Sequence, residues 1–331
     1  SMAEADAGRM ISLMGDAELD EGNIYECLIE GYKHDIRNCW WVVDYNRQSL
    51  DSTTADRMFR RFDDIFETCG WRVVTLKHGK LLRAAFARPG GKSLEDWIEN
   101  CPNAEFAVLT YQGGAAWRAR LIEDIGHKPH VKKLLDSFDD DGLGALMTNL
   151  GGHCIASLME AFDSADDDRP TLFIAYTVKG YGLPLAGHKD NHSGMMNPAQ
   201  IEQLRESLGI EAGQEWEPFA GLGGNMAARL KDFVDQSVLS KKDKESTPPP
   251  IFVPARLPVP TGETQSTQAA FGHVLLDLAK SSEALADHIV TTAPDVTQTT
   301  NLGGFVNQRG LFRRSQVADI FREAKIPSAQ K

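Results

Sequence analysis

"MISLMGDAELDEG", residues 10–22, runs four apolar residues into Gly-Asp and then into a cluster of acids. Met10 to Met14 reads as a short buried strand. Beyond the acids, Ile24, Tyr25, Leu28, Ile29, Tyr32 and Ile36 recur at helical spacing, so an amphipathic helix is expected to about Arg37. Asp16, Glu18, Asp20 and Glu21 therefore collect where a strand ends and a helix begins. Two readings are open. Acids suit a helix N-terminus electrostatically, with Glu21 serving it, or something cationic sits there.

Working outward, "CWWVVDYN" (39–46) is a second strand, with Trp40, Trp41 and Tyr45 as core residues, and "WRVVTL" (71–76) follows a helix around 54–68. Residues 92–165 read as mostly helical, with loops at "RPGGKS" and "DSFDDDGLG", before the near-continuous apolar strand "TLFIAYTV" (171–178). Strands of that kind alternating with helices imply an α/β fold, a parallel sheet with helices on both faces. Helices near 198–208 and 222–238 close this first domain, residues 1–239. The Pro-rich, charged stretch 240–265 reads as a linker. A helix (266–281) and the strand "HIVTTAPD" (288–295) then open a second α/β unit, 266–331.

Composition narrows the function classes. The chain has 331 residues, is 42% hydrophobic and 25% charged, and carries a net charge of −12, which argues against a general nucleic-acid binder. No apolar run approaches membrane-spanning length. Cys27, Cys39, Cys69, Cys101 and Cys154 form no CxxC pair, and such scattered cysteines suggest a reducing, cytoplasmic setting. Ser1-Met2 reads as a cloning scar.

In open parallel sheets ligands sit outside the carboxyl ends of strands, where helix N-termini converge. Asn46 and Gln48 follow the second strand, thirty and thirty-two residues after Asp16. A carboxylate, an amide oxygen and a backbone carbonyl meeting there form a half-shell of hard oxygen ligands suited to Mg²⁺. Gly15 would let a diphosphate approach the backbone. An EF-hand counted from Asp16 needs Gly and Glu where Glu21 and Cys27 stand, and "GLGG" (221–224) follows no strand, so neither motif is present.

Gly-Asp-x followed about thirty residues later by Asn resembles the diphosphate-and-magnesium motif of thiamine diphosphate (ThDP) enzymes. The string "GDAELDEGN…NCWWVVDYNRQSLD" resembles the homodimeric-type pyruvate dehydrogenase E1 component of the transketolase-like superfamily. So do "TNLGGH" (148–153), "IAYTVKGYG" (174–182), "GHKDNHSGMMNP" (187–198) and "IVTTAPDVTQTTNLGG" (289–304). One departure is Ala17, where a glycine is usual. Its methyl is tolerable if φ is negative and crowds the diphosphate if φ is positive.

The resemblance implies a ThDP-binding fold, with 1–239 as the diphosphate- and Mg²⁺-anchoring domain and 266–331 as the beginning of a pyrimidine-binding domain. It implies that Asp16 and Asn46 hold Mg²⁺ through side-chain oxygens and Gln48 through its backbone carbonyl. Gly15, Ala17 and Glu18 would line the diphosphate, Lys179 would stand at the cofactor, and His192 on an active-site loop would be catalytic, with His188 its neighbouring candidate. His153 either touches the site or caps the next helix. The implied reaction is decarboxylation of pyruvate with acetyl transfer to the lipoyl domain of E2, in a homodimer whose remaining active-site groups are expected upstream of Ser1 and beyond Lys331. Two-carbon transfer between sugar phosphates, for which "LFRR" (311–314) is a weak hint, and a non-catalytic cofactor-binding module are the alternatives.

Overall fold

"TLFIAY" (Thr171–Tyr176) is buried at every position, as expected of a β-branched and aromatic run in the middle of a parallel sheet. The computed structural model describes residues 8–49, 52–53, 59–237, 240, 250–260, 264–281, 283–293, 297 and 299–311. In chain order the first elements are β1 (Met10–Gly15), a 3-10 turn (Asp16–Asp20), α1 (Gly22–Lys33), β2 (Cys39–Tyr45), the short pair β3 (Gln48–Ser49) and β4 (Ser52–Thr53), α2 (Phe59–Thr68) and β5 (Arg72–Leu76). Six helices follow, α3 (Lys80–Phe86), α4 (Gly91–Asn100), α5 (Asn103–Gln112), α6 (Gly114–Ile125), α7 (Val131–Leu135) and α8 (Asp140–Met147), then α9 (Ile155–Ser164) and the buried strand β6. All pairings in the main sheet are parallel, in the order β1-β2-β6-β5.

Alternation along β2 sends its side chains to two cores. Trp41, Val43 and Tyr45 join Leu28, Phe66, Trp71 and the helices α3–α8 in the larger one, with Trp117, Leu121 and Leu143 wholly buried. Trp40 faces the other way, packing edge-on against Phe173 at 5.0 Å and stacking on Phe162 of α9 at 5.7 Å. Helices thus cover both faces, and the expected α/β parallel sheet is the architecture.

Several expectations need correction. β1 is not buried: it lies at the edge of the described sheet, and Met10, Ile11 and Leu13 are exposed. α1 stops at Lys33 rather than Arg37, because Asp35 adopts φ 50° and the Ile36 and Asp35 N–H groups donate back to Gly31 and Tyr32 in a Schellman closure. The "DSFDDDGLG" loop is shorter than expected, since Asp139 accepts the Gly142 N–H and starts α8 within it.

Helices α10 (Pro198–Ser207) and α11 (Met226–Gln236) follow. The chain divides into units Ser1–Ala228 and Arg229–Lys331. In the second, α12 (Thr267–Ser281), α13 (Glu283–Ala286) and α14 (Gly303–Arg309) share a small core of Leu275, Ala279, Ala286, Leu302, Phe305 and Val306. The expected strand at 288–295 does not form among the described residues: 289–293 are irregular, without a pairing partner, and Val290 is exposed. Residues 54–58 of the expected α2 start and Arg313 and Arg314 of "LFRR" lie outside the described residues. No described helix is long and apolar enough to cross a membrane.

Candidate functional site

Because the four strands are parallel, their exits gather at one end of the sheet, and the residues that matter leave β1, β2 and β6 there. The β1 exit is Gly15-Asp16. The Gly15 N–H donates to Glu18 Oε1 at 3.0 Å, which closes the 3-10 turn. Glu21 stands at the α1 N-terminus without a side-chain capping bond, so it is Glu18, not Glu21, that serves a backbone donor here. Ala17 is not among the residues with positive φ, so its methyl carries no backbone strain.

Asp16 is 3% exposed. Its Oδ2 accepts the Arg47 N–H at 2.7 Å, linking the β1 exit to the turn after β2. Burial pushes the Asp16 carboxyl up to about 6, against the pull of the backbone N–H groups of Arg47 and Ala17, and the nearby Asp44 charge adds to the rise. In the same turn Asn46 Oδ1 accepts the Gln48 N–H at 3.0 Å, and Arg47 takes the left-handed φ of 66° that brings both bonds about. The Arg47 guanidinium lies over Phe106, 4.3 Å from its ring centre.

Asp16, Asn46 and Gln48 are therefore brought together as the spacing suggests. A buried carboxylate tied by its hydrogen bond to the turn that carries the Asn46 amide oxygen is chemically fitted to a hard divalent cation such as Mg²⁺. The set contains a single acid, and no cluster of three or more His, Cys, Asp or Glu able to hold a metal occurs among the described residues.

The β6 exit supplies the other half. Thr177 donates its hydroxyl to Asp44 Oδ1. Lys179 lines a small cavity with Asn46, Arg47, Gln48 and Gly187, and its Nζ is 3.0 Å from Nδ1 of His192. His188 instead packs edge-on against Tyr111 at 4.7 Å. Of the two loop histidines, His192 is thus tied to the lysine.

Gly151 and Gly152 bring the chain against the strand ends so closely that a Cβ would fall 2.3 Å from Leu76 O and 2.8 Å from Tyr176 O. This places His153 at the site rather than on a helix cap. Its Nε2 accepts the Val178 N–H at 2.8 Å, and its ring stacks on Tyr181 at 3.8 Å. Accepting through Nε2 leaves the proton on Nδ1, and burial lowers the pKa, keeping the ring neutral; the Asp44 charge opposes this.

Sequence reasoning passed over Asp44, Arg47 and Thr177. An acid inside the otherwise apolar "WWVVDY" was the available signal for Asp44. Nothing local marked Arg47, whose role depends on Asp16 accepting its N–H.

The chain resembles pyruvate dehydrogenase E1 components along most of its length. It is 24% identical to that of Cupriavidus necator over 340 residues, 95% of this chain and 36% of that protein. It is likewise 24% identical to that of Pseudomonas aeruginosa, over 93% of this chain and 36% of that protein. The chain thus spans little more than a third of the length of these relatives. Among solved structures, a transketolase from Campylobacter jejuni aligns with 84% of this chain and 34% of its own, at 16% identity and a TM-score of 0.39. No family model matches the chain.

Proposed function

We propose that this chain carries the cofactor anchor of a ThDP-dependent enzyme of the pyruvate dehydrogenase E1 type. The observation that carries the reading is Asp16, a buried carboxylate raised to about 6 and joined through the Arg47 N–H to the Asn46–Gln48 turn. Asp16 and Asn46 hold Mg²⁺ through side-chain oxygens and Gln48 through its carbonyl, while Gly15, Ala17 and Glu18 line the diphosphate. For that anion to reach the Gly15 N–H, Glu18 must give it up. When bound, ThDP supplies the nucleophile and electron sink for decarboxylating a 2-oxo acid. Lys179 stands beside the cofactor, and His192, held on Lys179 through Nδ1, exchanges protons with substrate at Nε2.

In this reading residues 1–239 form the anchoring domain, 240–265 a linker, and 266–331 the beginning of a pyrimidine-binding domain. The longer protein acts on pyruvate in the cytoplasm as a homodimer and passes an acetyl group to the lipoyl domain of E2.

The test is a calorimetric titration of the chain with ThDP, in Mg²⁺ and in chelator, beside Asp16→Ala. Saturable binding that requires Mg²⁺ and disappears in the variant is expected. Binding indifferent to both overturns the assignment, and silence at millimolar ThDP refutes an anchor pre-formed in this chain.

A further inference from the structure

Gln48 faces two ways. Its N–H donates to Asn46 Oδ1 at 3.0 Å within the turn after β2, and its carbonyl is the third proposed cation ligand. The residue is 6% exposed, and Nε2 donates to the carbonyl of Gly187 at 3.1 Å, 139 positions further along the chain. We propose that the Gln48 amide is a positioning group that holds the stem of the histidine loop (187–197) and makes that loop answer to occupancy of the cation site. The second half of this rests on the cation site proposed above.

Gly187 is fitted to be held. It adopts φ +78°, its N–H donates to Lys179 O at 3.2 Å, and a Cβ on it would come 2.8 Å from Ala107 O and 3.1 Å from Thr110 Cβ on α5. The stem is thus confined between α5, the β6 exit and Gln48. Beyond it hang His188 on Tyr111, Asn191, whose Nδ2 donates to Lys179 O at 2.6 Å, and His192 at Lys179 Nζ.

The amide is a poor space-filler. Its Oε1 is buried without a hydrogen-bond partner among the described residues, as is Thr110 Oγ1, and both residues line the same cavity. A buried polar atom left so carries a desolvation cost that an apolar side chain of the same length avoids. What the amide contributes in exchange is its hold on Gly187. Ligation through the carbonyl fixes the backbone from which that same side chain reaches, so the two events share one residue.

Hydrogen exchange of peptides covering 187–197 tests this in the chain, in Gln48→Met, and in Gln48→Glu as a second variant of the same shape that lacks the donor when ionised. Circular dichroism selects the variants that fold. Without ligand, exchange in 187–197 should quicken about two- to tenfold, the range expected for one hydrogen bond, while β6 and α5 keep their rates. With Mg²⁺ and ThDP, at concentrations that calorimetry shows to saturate each protein, the unvaried loop should slow, whereas the Gln48→Met loop should not. A loop unaffected by both substitutions, or one slowed by cofactor equally in Gln48→Met, overturns the proposal. If the unvaried chain binds no cofactor, the cation site fails and the coupling with it, and the ligand-free comparison alone judges the hold on Gly187.

Discussion

Asp16 makes a quantitative case at the scale of one side chain. Its carboxyl rises from 3.8 to about 6 on folding, so between those values the folded chain binds more protons than the unfolded one. Stability then falls as pH rises through that window, by up to about 3 kcal/mol for a shift of this size. In chelator, the melting temperature of the chain should drop from pH 4 to pH 7 relative to Asp16→Asn, whose amide can still accept the Arg47 N–H. Matching profiles for the two proteins would refute the assignment. Mg²⁺ favours the ionised form and should lift the unvaried protein selectively at pH 7. That Asp16 stands at a strand exit was legible from Gly-Asp after an apolar run. That it is held back from ionising was not, because its burial depends on how the turn at 16–20 packs against β2 and β3, which no local pattern encodes.

The elements divide into those set by their own sequence and those set by what lies beside them. β6 belongs to the first kind: six apolar or β-branched residues can only be central, and all six are buried. β1 reads almost the same in sequence yet sits at the edge with Leu13 79% exposed. Periodicity reports a strand but not its place in the order, which is decided by tertiary pairing. The consequence is measurable. Ile174→Ala should cost about 2–5 kcal/mol in denaturant melts, whereas Leu13→Ser should stay within about 0.5 kcal/mol. Comparable losses at both would mean that β1 is covered in solution. The failure at 288–295 has the same root, since "HIVTTAPD" has strand propensity but no strand to pair with among the described residues. Asn46 and Gln48 were legible because the distance from Asp16 matches one β-α-β step. The linkage of Lys179 to His192, and of Gln48 to Gly187, depends on how a loop folds back, which spacing does not encode.

For the molecule as a whole, the six helices α3–α8 intervene between two neighbouring strands, β5 and β6, and form one core with the sheet. Alternation of strands and helices made the layered architecture legible, though not this detour. The sheet order gives the detour a meaning in time. β6 lies between β2 and β5, and Trp40 pairs with Thr171, so roughly 130 residues of chain must close before the centre of the sheet exists. Local helices need no such closure and form sooner. During refolding from denaturant, far-ultraviolet ellipticity should therefore recover before the burial of Trp40 and Trp41 seen by fluorescence, and simultaneous recovery would argue against the order. During synthesis the interval is longer. The β6 side of β2, with two tryptophans on its strand, stays an open edge until residue 171 has emerged. The nascent chain is stickiest over that span, and a chaperone that binds unpaired apolar strands would find its target in "CWWVVDY".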